Sequence, residues 1–417
     1  MIQKLKPKSE FSKNVLTLMT GTTIAQAIPI AISPILTRIY TPEDFGVFSL
    51  YMSTAAIFSV LATGRYEAAI ILPKTNKEAS YIVILSLLIS LIISILILIF
   101  IILFDEQIAI LLGNKNILHW LYFIPVTVFF TGIYQSLNYW VNRKKYYKKL
   151  ALSRVSQSIV TSGSSIGMGF SGLSIAGLIY SNILGQIASI IVLFKSIYLN
   201  DLKYLNFFNK NRILFVARKY SKFPKFDLLA SLSNVSAQYL VNILFTALFT
   251  TTVTGYYYLT QKMLSIPITL IAASILDVFK EQASKDYKQF GNARKIYIQT
   301  FKKLLVLSFI PSIIVYFFSV DIFTYIFGNA WEVSGEYARI LVPMLFFRFI
   351  SSPLSFMLYI GEKQELNLVG NLLFLLGTIG SLYFASSPMD AVVHLSFSFS
   401  FIYIMYLFFS AKIAKVW

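Results

Sequence analysis

A run of 23 consecutive residues without a charged side chain constrains this chain more than any other feature. From Ile82 to Phe104, serines are the only polar members. A helix needs about 20 apolar residues to cross the hydrocarbon core of a bilayer, and this run satisfies that requirement. Hydrophobic residues make up 57% of the 417 residues and charged residues 13%, against roughly 45–50% and 25% in soluble domains. The sequence therefore predicts an integral membrane protein.

Similar apolar stretches recur along the chain and predict twelve spans. They lie near residues 14–40, 44–72, 79–104, 117–141, 150–170, 173–195, 222–248, 254–279, 296–320, 333–360, 366–386 and 389–411. The first stretch follows several lysines but is too long for a signal peptide and lacks an obvious cleavage site, so we interpret it as a retained helix. The predicted fold class is an all-α polytopic membrane protein.

The positive charges are distributed very unevenly between the two sides of these spans. With the N-terminus in the cytoplasm, 29 of the 36 Lys and Arg residues fall in cytoplasmic segments, six lie within spans, and only Lys115 lies on the other side. Cytoplasmic loops of membrane proteins carry such an excess. The distribution predicts twelve spans with both termini in the cytoplasm, and it explains the net charge of +18 without a nucleic-acid partner.

The longest and most basic connection lies between spans 6 and 7 and divides the chain into two halves. We predict an N-terminal six-helix lobe over residues 1–195, a linker over 196–221 and a C-terminal six-helix lobe over 222–417. Because six is even, the two bundles would be parallel repeats. Residues 46–50 (GVFSL) open span 2 and residues 255–259 (GYYYL) open span 8, so this short echo has an offset of 209 residues.

Charged residues within spans are expensive in lipid and indicate functional positions. Six basic residues fall within spans, namely Arg38, Arg65, Arg154, Lys262, Arg339 and Arg348, and the acids within or near spans are Glu67, Asp227, Asp277 and Glu336. On a regular helix Arg65 and Glu67 would point to nearly opposite faces, although Gly64 could bend the chain. Arg339 and Arg348 are also out of phase, and we favour Arg348 as the residue that faces a cavity.

Polar side chains also form stripes at helical spacing. In span 7 the stripe contains Asp227, Ser231, Asn234, Gln238 and Asn242, and in span 1 it contains Thr22, Gln26, Ser33 and Thr37. Each stripe lies on one helix face. Amides and hydroxyls suit a carbohydrate, and the alternative interpretation is that they join helices by hydrogen bonds. Small residues at four-residue spacing, which are Ser86, Ser90 and Ser94 in span 3 and Gly163 and Gly167 in span 5, predict close helix packing.

A metal or disulfide site is not expected. The chain has no Cys, and its two histidines, His119 and His394, lie far apart with no neighbouring ligand at a suitable spacing.

Three segments resemble the polysaccharide-export branch of the multidrug/oligosaccharidyl-lipid/polysaccharide (MOP) superfamily, in particular the O-antigen (Wzx-type) flippases. These segments are Leu36–Gly46 (LTRIYTPEDFG), Gly64–Glu67 (GRYE) with residues 70–73 (IILP), and Lys219–Asp227 (KYSKFPKFD). The resemblance extends over the whole chain. It implies a V-shaped, MATE-like transporter whose two six-helix lobes open alternately to each side of the membrane.

The resemblance also implies a substrate, which is an undecaprenyl-pyrophosphate-linked O-antigen or polysaccharide repeat unit carried to the periplasmic leaflet. A polysaccharide polymerase and a chain-length regulator are the candidate protein partners. A pyrophosphate needs cations and sugars need polar groups. The predicted substrate-binding residues are Arg65, Lys262, Arg348, Arg38, Gln26, Asn234, Gln238 and Asn242. Glu67 and Asp227 are candidates for coupling transport to H⁺ or Na⁺, and no other cofactor is expected.

Two other functions remain as alternatives at this stage. A multidrug or organic-ion antiporter of the same superfamily would favour intramembrane acids for cationic drugs, whereas the spans here contain more bases than acids. A membrane polysaccharide polymerase would need a large outer loop, and no predicted outer loop exceeds about fifteen residues. No nucleophile, base or metal constellation is visible in the sequence either. We therefore predict a transporter and not an enzyme.

Overall fold

The computed structural model describes residues 10–205, 209–266 and 268–416, and all regular secondary structure within these ranges is helical. Lys4, Lys6, Lys8 and residues 206–208 of the predicted linker lie outside the described residues. The α-helices are α1 (Glu10–Ile39), α2 (Pro42–Ser59), α3 (Asn76–Leu111), α4 (Leu118–Leu121), α5 (Ile124–Arg143), α6 (Tyr147–Phe170), α7 (Ser174–Leu205), α8 (Lys210–Lys219), α9 (Leu228–Leu248), α10 (Thr251–Leu264), α11 (Ala273–Phe290), α12 (Arg294–Phe327), α13 (Glu332–Leu354), α14 (Met357–Ile360), α15 (Gln364–Tyr383) and α16 (Pro388–Ile413). Short 3-10 helices lie at Tyr66–Ile71, Lys115–Ile117 and Asn329–Trp331, and π-helical turns lie at Phe223–Asp227 and Ile268–Ala272.

The helices confirm a multi-pass membrane protein. Within the described residues, eight helices are long and apolar enough to cross a membrane, and a bent pair raises this number to nine. Each of the twelve predicted spans falls on one or more of the helices. Large apolar side chains are exposed along their length, as at Leu103, which is 64% exposed, and Phe317, which is 63% exposed. Lipid is the solvent that accepts so much apolar surface.

Predicted span 2 is not one continuous helix, which corrects the sequence-based assignment. Helix α2 ends at Ser59, and the chain continues through turns to the 3-10 helix Tyr66–Ile71. Gly64 and Arg65 both adopt left-handed backbone conformations, with φ values of 58° and 65°. Glycine tolerates this conformation, whereas an L-residue such as arginine pays a steric cost of about 1–2 kcal/mol. After α2 has ended at Ser59, these two successive residues with positive φ turn the chain into the 3-10 helix.

Three other spans are also interrupted. Span 4 bends by 48° between Lys115–Leu121 and α5. Span 8 passes from α10 through the π-helical turn Ile268–Ala272 into α11, and span 10 divides into α13 and α14. Hydropathy reports whether a segment prefers lipid or water, and it carries no information on backbone continuity. The sequence therefore located these spans but not their breaks.

The described chain packs as two compact units, and each is considered by itself. Unit 1 contains the chain up to Tyr40 and Leu50–Tyr239, and unit 2 contains Thr41–Ser49 and Leu240–Trp417. In unit 1, α6 packs against α1 and α7, and α5 packs against α3 and α7. In unit 2, α13 packs against α10, α12 and α16, and α15 packs against α16.

Within unit 2, the first turns of α2 and α10 cross in direct backbone contact at two glycines. A Cβ atom added to Gly46 would collide with the carbonyl of Thr251 and lie 3.2 Å from the backbone nitrogen of Gly255. A Cβ atom added to Gly255 would collide with the carbonyl of Pro42 and lie 3.1 Å from the nitrogen of Gly46. The contact is reciprocal, because Pro42 and Thr251 occupy the same position relative to their glycines.

This crossing belongs to a longer internal repeat. Residues 36–50 and 245–259 align at the 209-residue offset with four identities, which are Thr37/Thr246, Thr41/Thr250, Gly46/Gly255 and Leu50/Leu259. Thr41 and Thr250 have the same role, since each hydroxyl accepts a backbone hydrogen bond from the first turn of its helix, from Asp44 and Val253 respectively. The short echo seen in the sequence is therefore part of a repeat with matching local structure.

The predicted close packing at the small-residue stripes is found for one stripe and not for the other. Ser90 is buried, and a Cβ atom on Gly132 of α5 would collide with its hydroxyl, so α3 and α5 do approach closely in unit 1. A Cβ atom on Gly163 or Gly167 would meet nothing within 4 Å. The packing prediction is correct for the serine stripe and wrong for these two glycines.

Candidate functional site

A three-residue charge cluster in unit 1 joins the broken end of span 2 to the start of span 7. The Arg65 Nε donates a 2.7 Å hydrogen bond to Asp227 Oδ2, and its Nη1 donates a 3.1 Å bond to Glu67 Oε1. Glu67 is buried and also accepts a hydrogen bond from the Thr63 hydroxyl. One guanidinium is thus shared by two carboxylates, and the cluster has a formal charge of −1 when both carboxylates are ionised.

The local backbone explains how Arg65 and Glu67 can pair. The expectation that they point to opposite faces assumed a regular helix, and it is wrong because Gly64 and Arg65 are left-handed. Arg65 precedes the 3-10 helix Tyr66–Ile71, whose tighter turn places Glu67 on the same side. Asp227 is the last residue of the π-helical turn Phe223–Asp227. Irregular backbone on both segments therefore positions the three charges.

Two neighbours of this cluster were not singled out from the sequence. Thr63 donates to Glu67, and Tyr139 of α5 lies within electrostatic range of Arg65, Glu67 and Asp227. The spacing of Thr63 and Glu67, four residues apart, was a visible signal. Tyr139 offered none, because it reaches the cluster only through tertiary packing.

Unit 2 holds the two predicted anion ligands Lys262 and Arg348. Both side chains are half-buried, Lys262 on α10 and Arg348 on α13. The structure places no carboxylate within 4.0 Å of either cation in the described part of the chain. The Lys262 ammonium lies 6.0 Å from the ring centroid of Tyr258, at the outer limit of a cation–π contact. These two positive charges are therefore not neutralised within their unit.

Neutral polar groups accompany Arg348. The hydroxyls of Tyr257 on α10 and Tyr403 on α16 lie within electrostatic range of its guanidinium. Gln261 donates a 3.0 Å hydrogen bond to the Tyr257 hydroxyl. Tyr257, Gln261 and Tyr403 were not predicted from the sequence. The four-residue spacing of Tyr257 and Gln261 on a helix was a signal that these two side chains could pair. Guanidinium, phenol and amide groups together suit a ligand that carries both negative charge and hydroxyls.

The predicted polar stripe of span 7 begins at Asp227 in the π-helical turn and continues on α9, and its residues belong to both units. In unit 1, Asn234 and Gln238 are exposed, and the Gln238 amide donates a 2.8 Å hydrogen bond to Asn234 Oδ1. In unit 2, Asn242 is half-buried, and its backbone carbonyl accepts a bond from the Thr246 hydroxyl. Asn234 and Gln238 stay together as a polar surface, while the sugar-binding role of the stripe stays a prediction.

The residues predicted on span 1 are dispersed within unit 1. Gln26 is exposed, whereas the Ser33 hydroxyl is buried and donates to the Pro29 carbonyl of its own helix. Thr22 accepts a 2.6 Å hydrogen bond from Arg154 of α6, so this part of the stripe joins helices. Arg38 is exposed and donates a 2.8 Å bond to the Pro34 carbonyl in the last turn of α1. The structure does not bring Gln26 or Arg38 into the cluster of Arg65.

Solved structures with the same fold define the class to which this architecture belongs. The lipid II flippase MurJ, in an inward closed conformation, matches with a TM-score of 0.75 and 16% identity over 95% of this chain and 87% of that chain. A multidrug-resistance MATE transporter in an inward-facing conformation matches with a TM-score of 0.61 and 14% identity over 96% and 95% of the two chains. A transporter from Pyrococcus furiosus also gives a TM-score of 0.61, with 14% identity over 97% and 96%. The chain therefore has the fold of MOP-superfamily transporters.

The family follows from the sequence. A family model described as polysaccharide biosynthesis protein matches residues 35–336, which is more than two thirds of the chain. This chain belongs to that family of polysaccharide biosynthesis proteins. No curated protein matches this chain.

Proposed function

We propose that this protein is a flippase that moves undecaprenyl-pyrophosphate-linked polysaccharide repeat units, of the O-antigen type, from the cytoplasmic to the periplasmic leaflet by alternating access. The observation that carries the proposal is the presence of Lys262 and Arg348 within membrane spans of unit 2 without a carboxylate partner in the described residues. Uncompensated cations in a span are costly unless an anion is bound there. A pyrophosphate is such an anion.

The fold and the family support the same proposal. MurJ is described as a flippase of lipid II, and the matching family is one of polysaccharide biosynthesis. Sugars attached to the pyrophosphate would find hydroxyl and amide groups of unit 2 at Tyr257, Gln261 and Tyr403. The proposed location is a bacterial inner membrane, where a polymerase and a chain-length regulator would use the product.

The cluster in unit 1 has a different role in this proposal. Arg65 is a predicted anion ligand, but Glu67 and Asp227 neutralise it in this structure. If either carboxylate takes up H⁺ or Na⁺, the competition for the guanidinium weakens and Arg65 becomes available to the pyrophosphate. Ion uptake at Glu67 or Asp227 would then be coupled to substrate binding at Arg65.

Neutral replacements of the unpartnered cations provide the test. Lys262→Gln and Arg348→Gln should each lower transport of a polyprenyl-pyrophosphate-linked oligosaccharide in proteoliposomes by about tenfold, because a charge-assisted hydrogen bond contributes about 1.5–3 kcal/mol. Folded protein in the membrane should stay close to the wild-type amount, since no described carboxylate loses its partner. Arg339→Gln is the matched control, because Arg339 is an exposed arginine on the same helix α13.

Two results would contradict the proposal. Transport at the wild-type rate by both variants would show that Lys262 and Arg348 do not bind the substrate. Transport of organic cations by the wild-type protein, with none of the lipid-linked oligosaccharide, would favour a multidrug antiporter instead.

A further inference from the structure

An open cavity of about 420 Å³ lies in unit 1, and none of the three residues of the charge cluster lines it. Its walls are formed by Ile71, Asn76, Asn142, Arg143, Lys145 and Tyr147. These residues belong to the end of the 3-10 helix, the start of α3, and the turn between α5 and α6. The charge distribution predicts that these segments face the cytoplasm. The volume is within the range of about 300–1,000 Å³ that is typical of small-molecule sites.

The hydrogen bonds around the cavity leave donors directed to a ligand. Arg143 Nε donates to Asn76 Oδ1 at 3.3 Å, and its Nη1 donates to the carbonyl oxygens of Ile71 at 3.0 Å and Ile70 at 3.3 Å. A guanidinium has five N–H donors, so the two on Nη2 have no acceptor among the described residues. Because the Asn76 carbonyl accepts from Arg143, the NH₂ group of the same amide is also left as a donor.

Positive charge surrounds the cavity. Lys145 is exposed at its wall, Lys148 and Lys149 follow in α6, and Lys74 precedes α3. Asn76 is the first residue of α3, and the N-terminus of a helix favours anions. The cavity therefore combines a cationic wall, amide donors and a helix start.

The carboxylate in electrostatic range of Arg143 is Glu78, and it is already neutralised. The Lys219 ammonium of α8 lies 2.6 Å from Glu78 Oε1, and the Tyr220 hydroxyl donates to the same oxygen at 3.1 Å. This hydrogen bond from Lys219 to Glu78 raises the pKa of the Lys219 ammonium above its ordinary value. The charge of Glu78 is thus balanced by Lys219, and the charged residues that line the cavity, Arg143 and Lys145, are both basic.

Apolar surface lies beside these donors. Ile71, which lines the cavity, is 44% exposed, and the next residue, Leu72, is 59% exposed. Two exposed apolar side chains at the predicted boundary between water and lipid suit an acyl or prenyl chain. We propose that this cavity binds the phosphate group of an anionic membrane lipid in the cytoplasmic leaflet, with the lipid chain against Ile71 and Leu72. None of the residues that line the cavity has a part in the proposed function, so this inference does not depend on it.

The variant that tests this site removes one charge without straining the backbone. Lys145 has a left-handed backbone with φ of 58°, which asparagine tolerates better than most residues. Lys145→Asn combined with Asn142→Ala should weaken lipid binding by at least about thirtyfold, because a charged hydrogen bond and an amide donor are lost. Lys288→Asn is the control, since Lys288 is an exposed lysine in a segment also predicted to be cytoplasmic.

Native mass spectrometry of the detergent-solubilised full chain measures this binding. Phosphatidylglycerol and a polyprenyl diphosphate are the two anionic probes, and phosphatidylcholine provides the zwitterionic baseline. Weaker binding of either anionic probe to the double variant, with wild-type binding to Lys288→Asn, supports the site. The probe with the larger loss then identifies the source of the phosphate.

Two outcomes would overturn the inference. One is unchanged binding of both anionic probes to the double variant. The other is an equal loss in the Lys288→Asn control, which would show that only net charge matters. Thermal unfolding of each variant, expected to match the wild type, ensures that a loss of binding does not reflect a loss of folded protein.

Discussion

Arg65→Asn is expected to remove most of the folded protein from the membrane. Arg65 is the cation of the buried Glu67, and its Nε also binds Asp227. Removing one partner of a buried ion pair typically costs about 3–5 kcal/mol, whereas the whole stability of a protein is about 5–15 kcal/mol. Asparagine tolerates the left-handed backbone at this position, so the effect isolates the lost charge from backbone strain. The loss is measured as the abundance of the variant in the membrane and as its thermal unfolding midpoint after detergent extraction.

A second substitution separates stability from function. Arg65→Asn together with Glu67→Gln should recover much of the folded protein, because a neutral amide at position 67 still accepts from Thr63 and needs no cation. If Arg65 also binds the pyrophosphate, transport by the double variant should stay low despite normal abundance. Wild-type abundance and thermal midpoint in the single variant would contradict the ion-pair argument, and Arg339→Asn serves as the exposed control.

Gly46→Ala and Gly255→Ala are expected to lower stability by about 1–3 kcal/mol each, although alanine is the better helix former. At both positions the new Cβ meets a backbone carbonyl, which cannot move aside as a flexible side chain would. Gly163→Ala is the matched control, because its Cβ meets nothing within 4 Å and the higher helix propensity should be neutral or stabilising. The thermal midpoint should therefore fall for Gly46→Ala and Gly255→Ala, and stay equal or rise for Gly163→Ala.

The two glycine variants should not be additive. Once one Cβ separates the first turns of α2 and α10, the second Cβ enters space that is already open, so the double variant should cost less than the sum of the single ones. Strict additivity, or a stabilising effect at Gly46, would show that the crossing is looser than the structure indicates.

Much of the fold follows from the sequence because lipid imposes a strict rule on composition. Long apolar runs must be helical in a membrane, since every backbone group needs an internal partner. The predicted spans at 296–320 and 389–411 accordingly lie within α12 and α16. The breaks are less predictable, because Gly64 signals flexibility but nothing in the sequence shows that Arg65 adopts a left-handed conformation.

The pairing of the residues in the charge cluster could not be predicted from a single sequence. Arg65 and Asp227 are separated by 162 residues, and their contact depends on tertiary packing. Each was identified alone as costly in lipid, which is a local property. Their pairing changes the interpretation of Arg65, which is neutralised in this structure, and leaves Lys262 and Arg348 as the cations without a described carboxylate partner. The sequence therefore identified charged side chains within spans, whereas their pairing became visible only in the structure.

The reciprocal contact of Gly46 and Gly255 also bears on how such a chain could arise. A residue that touches its own repeat equivalent satisfies the geometric condition for an isologous interface, in which two identical chains meet across a twofold axis. An ancestral chain with one copy of the repeat could thus have made this contact as a homodimer. Gene duplication and fusion would preserve the contact while freeing the two copies to diverge. Pro42 and Thr251, which occupy equivalent positions, differ in residue type, whereas the two glycines in backbone contact are identical.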